Sequence, residues 1–214
     1  MSAGTWAVVV ARADATAKTR LAPVLGPAER AALARAMLSD VLAACAGAGL
    51  AGTAAVVSAA DGPPPAPVGV LVVPDPGGGM NAAVRAGVLA AADAGAEAVL
   101  VLPGDVPLAR PGDLRAVVAA ADGLRRALVV VPDHAGTGTN ALLLRPPDLV
   151  TTAFGAGSAV RHLAAGAAAG AAVRRLPVPS LANDVDTPSD LAALRSLDQP
   201  GATRLALSQL TAPI

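Results

Sequence analysis

Residues 98–102, Ala-Val-Leu-Val-Leu, are a continuous apolar run with no polar face, and they lead directly into Pro103-Gly104-Asp105. A strand buried on both sides belongs in a mostly parallel sheet covered by helices, so this run constrains the fold more than any other segment. The rest of the chain alternates accordingly. Apolar runs at 6–10, 53–58, 68–73, 128–131, 141–144 and 172–176 predict strands. Apolar residues at helical spacing predict helices over 27–46, 81–94, 111–121, 159–169 and 189–197. The short connection 133–140 makes the strands on either side of it a candidate antiparallel hairpin. Ser158 reads as the N-cap of its helix, and Thr187-Pro188 as the start of the last one. This order specifies an α/β protein, a three-layer α/β/α sandwich with a mixed, mostly parallel, Rossmann-like sheet. Right-handed crossovers then collect the strand carboxyl ends along one edge. One domain is expected over 1–199, with a proline-rich surface connection at 62–67 and a loosely held tail over 200–214.

Composition removes several classes of function. Sixteen acidic and sixteen basic residues give zero formal net charge, so no overall field draws the chain to nucleic acid or to a membrane surface. Trp6 and Phe154 are the only aromatics, and the core must therefore be Val, Leu and Ala. Cys45 is the only cysteine, which excludes an intramolecular disulfide and a cysteine zinc site; its place in an amphipathic stretch reads as core. The opening residues lack a charged segment followed by an apolar leader, and no uncharged apolar run reaches about 18 residues with helical flanks. A cytoplasmic protein is expected.

In open sheets of this kind, ligands bind outside the strand carboxyl ends. Arg12, Lys18 and Arg20 lie there, on the loop after the first predicted strand, and suit a triphosphate; a solvated basic loop is the alternative. There is no Gly-x-x-x-x-Gly-Lys-Ser/Thr motif, and no Gly-x-Gly-x-x-Gly follows the first strand, which argues against a dinucleotide oxidoreductase. Asp105, Asp184 and Asp186 sit in turns after apolar runs and are candidate ligands for magnesium, which takes one or two protein carboxylates and completes its shell with phosphate oxygens and water. Asp184 and Asp186, two residues apart, face opposite ways if extended, so one of them is expected at the first metal. Each also has a structural reading: an ordinary turn for Asp105, and charge at a helix start for the other two.

Gly136-Thr137-Gly138-Thr139-Asn140 offers amides and hydroxyls without charge to an anionic acceptor, or else forms a permissive hairpin. Gly155 and Ser158 precede a helix and form an anion-binding start or a plain cap. Gly79, ahead of Asn81, lets the backbone approach a nucleobase or ends a strand. His134 and His162 lack metal-ligand spacing, and His162 is expected on a helix face near the acceptor.

Taken together, Ala17-Lys18-Thr19-Arg20-Leu21-Ala22-Pro23, Gly79-Met80-Asn81, Pro103-Gly104-Asp105-Val106-Pro107, Pro132-Asp133 with Gly136 to Asn140, Phe154-Gly155 with Ser158 and His162, and Asp184-Val185-Asp186-Thr187-Pro188 resemble one family in order and spacing. It is the guanylyltransferase family of coenzyme F-420 biosynthesis, which acts on 2-phospho-L-lactate or phosphoenolpyruvate. The resemblance spans roughly residues 5 to 198. It implies the nucleotide-diphospho-sugar transferase-like fold and a reaction of GTP with a phosphorylated three-carbon acid, giving a guanosine diphospho-linked product and pyrophosphate. It further implies that Thr139, Gly155 and Ser158 contact phosphoenolpyruvate; with that chemistry, Lys18, Arg20 and Arg12 are expected to serve catalysis by offsetting phosphate charge, and Gly79, Asn81 and Gly104 to bind the nucleotide. By the same resemblance Asp105, Asp184 and Asp186 hold magnesium, and the enzyme that consumes the unstable product is a candidate partner. Arg12 stands where many members have Lys, and Met80 where Leu is usual. Two rivals keep parts of this reading. A molybdenum-cofactor or sugar-phosphate nucleotidyltransferase shares the fold and the aspartates but usually carries a glycine-rich signature that residues 9–15 lack. A catalytically silent nucleotide-binding module would not need carboxylates at both turns.

Overall fold

Period-two alternation sends successive side chains of each strand to opposite faces, and the computed structural model, which describes residues 4–58, 69–197 and 200–210, covers both. Seven strands, β1 (Thr5–Arg12), β2 (Gly52–Ser58), β3 (Val70–Pro74), β4 (Ala98–Pro103), β5 (Ala127–Pro132), β6 (Thr139–Arg145) and β7 (Ala172–Arg175), make one sheet in the order β3-β2-β1-β4-β6-β5-β7. Strand β6 runs antiparallel to β4 and β5, so the expected hairpin is present; the remaining pairs are parallel. The helices are α1 (Pro27–Gly47), α2 (Met80–Asp93), α3 (Pro111–Ala119), α4 (Ser158–Ala168), α5 (Pro188–Arg195) and α6 (Ala202–Gln209).

Ala7, Val9, Leu100, Leu102 and Val129 pack on one side against Leu38, Val41 and Cys45 of α1 and Leu114 and Val117 of α3. Val8, Val99, Val101 and Val130 pack on the other against Val84 and Ala91 of α2 and Ala159 of α4. These two cores make the three-layer α/β/α sandwich. Burial pushes the Cys45 thiol up to about 12, as suits a core residue rather than a reactive one.

Helix α2 lies so close to the sheet that a Cβ on Gly87 would come within 2.5 Å of Val8 Cγ1 and 2.9 Å of Val56 Cγ2. Gly87→Ala is therefore expected to lower stability by about 1–3 kcal/mol through overpacking, although Ala is the better helix former. A urea unfolding midpoint equal to or above that of the parent would contradict this close fit.

Two expectations are corrected. Instead of a loose tail, 202–209 form α6, which packs on α1: the Ala202 and Thr203 amides each donate to the Asp40 carboxylate at 2.8 Å, and Leu207 is buried. Ser158 is not a cap. Gly157, at φ +70°, takes that position, and Ser158 is buried as the first residue of α4. The proline-rich connection at 62–67 and the first residue of the 68–73 strand fall outside the described residues. A third cluster joins Leu21 and Leu25, Leu33 and Met37 of α1, Val185, Leu191 and Leu194 of α5, and Leu207 of α6. It fastens the Lys18 loop and the Asp184–Asp186 turn onto the same apolar base.

A candidate active site at the crossover beside β1

From β1 the chain builds outward through β2 and β3, then returns to place β4 on the opposite side of β1. That reversal opens the crevice in which α/β sheets bind ligands. Gly104 lets the end of β4 lie against β1: its amide donates to the Val10 carbonyl at 2.8 Å, and a Cβ would sit 2.6 Å from the Ala11 Cβ. Asp105 is thereby delivered to the end of β1. The cleft is lined by Arg12, which closes β1, with Lys18, Arg20, Gly79, Gly104, Asp105 and Asp186, all selected from the sequence, by Met80 of the Gly79-Met80-Asn81 motif, and by Thr16 and Asp75, which were not selected.

Lys18 stands at the centre. Its ammonium donates to Asp105 Oδ2 and, at 2.8 Å, to Asp186 Oδ1, while Arg20 reaches Asp186 Oδ2 at 3.2 Å. Burial pulls this ammonium toward the neutral form, but Asp105 and then Asp186 outweigh it and hold the group above the ordinary lysine range. The amine is therefore charged at any pH near neutrality. Its backbone is left-handed at φ +52°, an uncommon conformation outside glycine and one that marks functional sites. Arg30 of α1 holds the loop in shape, since its buried guanidinium donates to the carbonyls of Ala15, Ala17 and Leu25 at 3.0–3.1 Å. Sequence reasoning passed over Arg30, whose signal was a charge at a position on the core face of an amphipathic helix. Another signal was overlooked: Lys18 is the only lysine beside fifteen arginines.

The aspartates are sorted by their partners. Asp190 takes the role at the start of α5, accepting from the Asp186 and Thr187 amides at 3.1 and 2.7 Å in a capping box with Thr187. Asp186 is left facing Lys18 and Arg20. Asp184 accepts from Asn140 Nδ2 at 3.2 Å. Burial and then the nearby Asp105 push its carboxyl above the usual range, Asn140 opposing. Among the described residues no three Asp, Glu, His or Cys side chains converge on a metal position, and Lys18 stands between two of the aspartates. Asp105 Oδ1, however, is buried without a hydrogen-bond partner, and hard oxygen donors of this kind in one or two carboxylates fit a magnesium ion that takes the rest of its shell from phosphate.

Beside the cleft lies a second network. Thr139 Oγ1 accepts from Ser158 Oγ at 3.0 Å and meets His162 Nδ1 at 3.1 Å; His162 Nε2 accepts from the Ala153 amide at 2.9 Å. His162 lies on the inner face of α4 and is wholly buried, with Phe154 edge-on at 4.9 Å. The first two amides of α4 are committed to loop carbonyls, Ser158 to Gly155 and Ala159 to Thr137, so the helix start does not offer them to an anion. Gly155, at φ +121°, adopts a conformation that a side chain would strain. Asn81 exchanges two hydrogen bonds with the Phe154 backbone, at 2.7 and 3.1 Å, and does not line the cleft; its amide clamps the 154–155 loop to α2.

Burial, then Arg161, lowers the His162 pKa from 6.5 to about 4. In that window the unfolded chain binds the proton and the folded one does not, so stability falls as pH drops from about 6.5 to about 4. Unfolding midpoints measured across this range should fall less steeply in His162→Asn, which has no ring to protonate. Identical slopes would contradict a neutral buried imidazole.

A mixed sheet with one lysine set between two aspartates at its crossover brings charged groups of both signs into one ligand-binding crevice. The family model described as "Guanylyl transferase CofC like" matches residues 5–199. The chain belongs to that family. It is 42% identical to the phosphoenolpyruvate guanylyltransferase of Conexibacter woesei over 196 residues, 90% of this chain and 88% of that protein. It is likewise 42% identical to the protein of the same name from Rubrobacter xylanophilus over 197 residues, 89% and 93% of the two chains. Among solved structures, a 2-C-methyl-D-erythritol 4-phosphate cytidylyltransferase from Thermus thermophilus superposes with a TM-score of 0.57 at 18% identity, covering 94% of this chain and 98% of that one. A Desulfovibrio desulfuricans chain grouped with nucleotide-diphospho-sugar transferases gives 0.75 at 19%, covering 96% and 94%. These two likenesses show the fold. Among the described residues no helix is long and apolar enough to cross a membrane.

Proposed function

We propose that this chain transfers GMP from GTP to phosphoenolpyruvate, giving enolpyruvyl-diphosphoguanosine and pyrophosphate in coenzyme F-420 biosynthesis in the cytoplasm. The observation that carries the reading is Lys18 fixed between Asp105 and Asp186 at the β1–β4 crevice, in a chain whose relatives of 42% identity are named for this activity. An oxygen of the acceptor's phosphate attacks the α-phosphorus of GTP. A new P–O bond forms, the bond from the α-phosphorus to the bridging oxygen breaks, and its electron pair leaves with pyrophosphate. Because the attacking oxygen is already ionised at neutral pH, no side chain has to remove a proton.

What the protein supplies is alignment and charge. Lys18, Arg12 and Arg20 face the triphosphate, and Gly79 and Gly104 let backbone come close to the nucleotide while Asn81 secures the adjoining loop. Asp105 with Asp186 or Asp184 would hold magnesium, which when bound neutralises phosphate oxygens. Thr139, Gly155 and Ser158 form the acceptor side, Ser158 through its hydrogen bond to Thr139. The enzyme that consumes the product is the proposed partner. The test is to incubate the protein with GTP, phosphoenolpyruvate and magnesium and identify the product by mass and by phosphorus NMR. A diphosphodiester containing one GMP and one phosphoenolpyruvate is expected, and GTP consumed only with a sugar phosphate would reject the assignment.

A further inference from the structure

The Ala153 amide can only donate, so its hydrogen bond to His162 Nε2 at 2.9 Å leaves that nitrogen without a proton. The hydrogen of a neutral imidazole must then sit on Nδ1, and the 3.1 Å contact to Thr139 becomes a donation from the ring to Oγ1. Burial, then Arg161, keeps the ring neutral down to about pH 4, so this tautomer holds at working pH. Ser158 Oγ donates to the same Thr139 oxygen at 3.0 Å. A hydroxyl has two lone pairs and one hydrogen, and both lone pairs are now occupied. No acceptor among the described residues takes the hydrogen. Thr139 opens β6, and the next residue, Asn140, reaches Asp184.

We infer that His162 is a positioning residue that fixes the Thr139 hydroxyl as an obligate donor toward an anionic oxygen of the acceptor. The inference rests on the reading of Thr139 and Ser158 as the acceptor side. His162 never touches the acceptor itself; it sets which way the Thr139 hydrogen points. Only a neutral, Nδ1-protonated ring can do this while also accepting from Ala153.

Three variants and one spectrum test it. In His162→Asn the side-chain amide nitrogen occupies the Nδ1 region and can still donate to Thr139. In His162→Gln the side-chain amide reaches the Nε2 region, where its oxygen serves Ala153, and the donation to Thr139 is lost. His162→Gln should raise the KM for phosphoenolpyruvate about tenfold, the scale of one hydrogen bond, with kcat and the KM for GTP little changed; His162→Asn should stay near the parent. In a Thr139→Val background the Gln substitution should add nothing. Equal effects of Asn and Gln, or a Gln effect undiminished in Thr139→Val, would overturn the role of His162. If Thr139→Val alone leaves the KM for phosphoenolpyruvate unchanged, the acceptor assignment fails and this inference with it. The spectrum needs no variant. With two histidines in the chain, nitrogen NMR of the labelled protein resolves each ring, and His162 should show the Nδ1-protonated tautomer between pH 6 and 8. An Nε2-protonated ring would refute the inference even if the variants do not fold.

Discussion

Asp105→Ala is expected to cut turnover about a hundredfold to a thousandfold while leaving the fold intact. One carboxylate oxygen of Asp105 receives Lys18, and the other is buried with no partner, so the group is both the anchor of the central ammonium and a free hard donor at the crossover. The fold should survive because, among the described residues, only Lys18 bonds to this side chain and it keeps Asp186, while Gly104 holds the turn through the backbone and Val185 donates its amide to the Asp105 carbonyl, which Ala retains. Pyrophosphate release and an unfolding curve, measured together, separate the two effects. Unchanged turnover, with magnesium present, would contradict the placement of the metal and the transferring phosphate at this turn.

Lys18→Met should be comparably severe, again about a hundredfold to a thousandfold in turnover, but by another route. It removes the charge that faces the phosphates and leaves Asp105 and Asp186 across from each other without a cation between them. Lys18→Arg should rescue only a minor part, because a planar fork on a longer stem cannot occupy the point between two carboxylates that a compact ammonium fills. The pH dependence gives an independent check. Since the ammonium is held above the ordinary lysine range, the parent should show no loss of activity from Lys18 deprotonation until pH rises beyond 10.5. Full activity in Lys18→Met would remove the basis of the mechanism.

Layering was legible from the sequence because burial on both faces leaves a local trace. The unbroken run in β4 announced a central strand, and the helical spacing in α1 and α4 announced its covers. The carboxylates were legible as types in turns, but not their division of labour, which depends on partners far away in the chain. Lys18 meets a residue 87 positions on and another 168 positions on. Only the folded chain shows that Asp190, rather than Asp186, serves the start of α5. The acceptor side was read least well. Ser158 has the residue type of a cap yet faces Thr139, and Asn81, two positions after a glycine turn, is engaged with the Phe154 backbone. Helix α6 escaped notice although Ala, Leu, Arg and Gln favour a helix there, because eight residues are too few to hold one alone; Asp40 at its start and the apolar base under the Lys18 loop supply the anchorage.

The central claim is guanylyl transfer to a phosphorylated three-carbon acid, and pyrophosphate release tests it most directly. Each nucleoside triphosphate should be offered with phosphoenolpyruvate, 2-phospho-L-lactate, 3-phosphoglycerate and a hexose 1-phosphate in turn. The account predicts release that needs GTP and is fastest with phosphoenolpyruvate. Release with the sugar phosphate, and with none of the three acids, would contradict it.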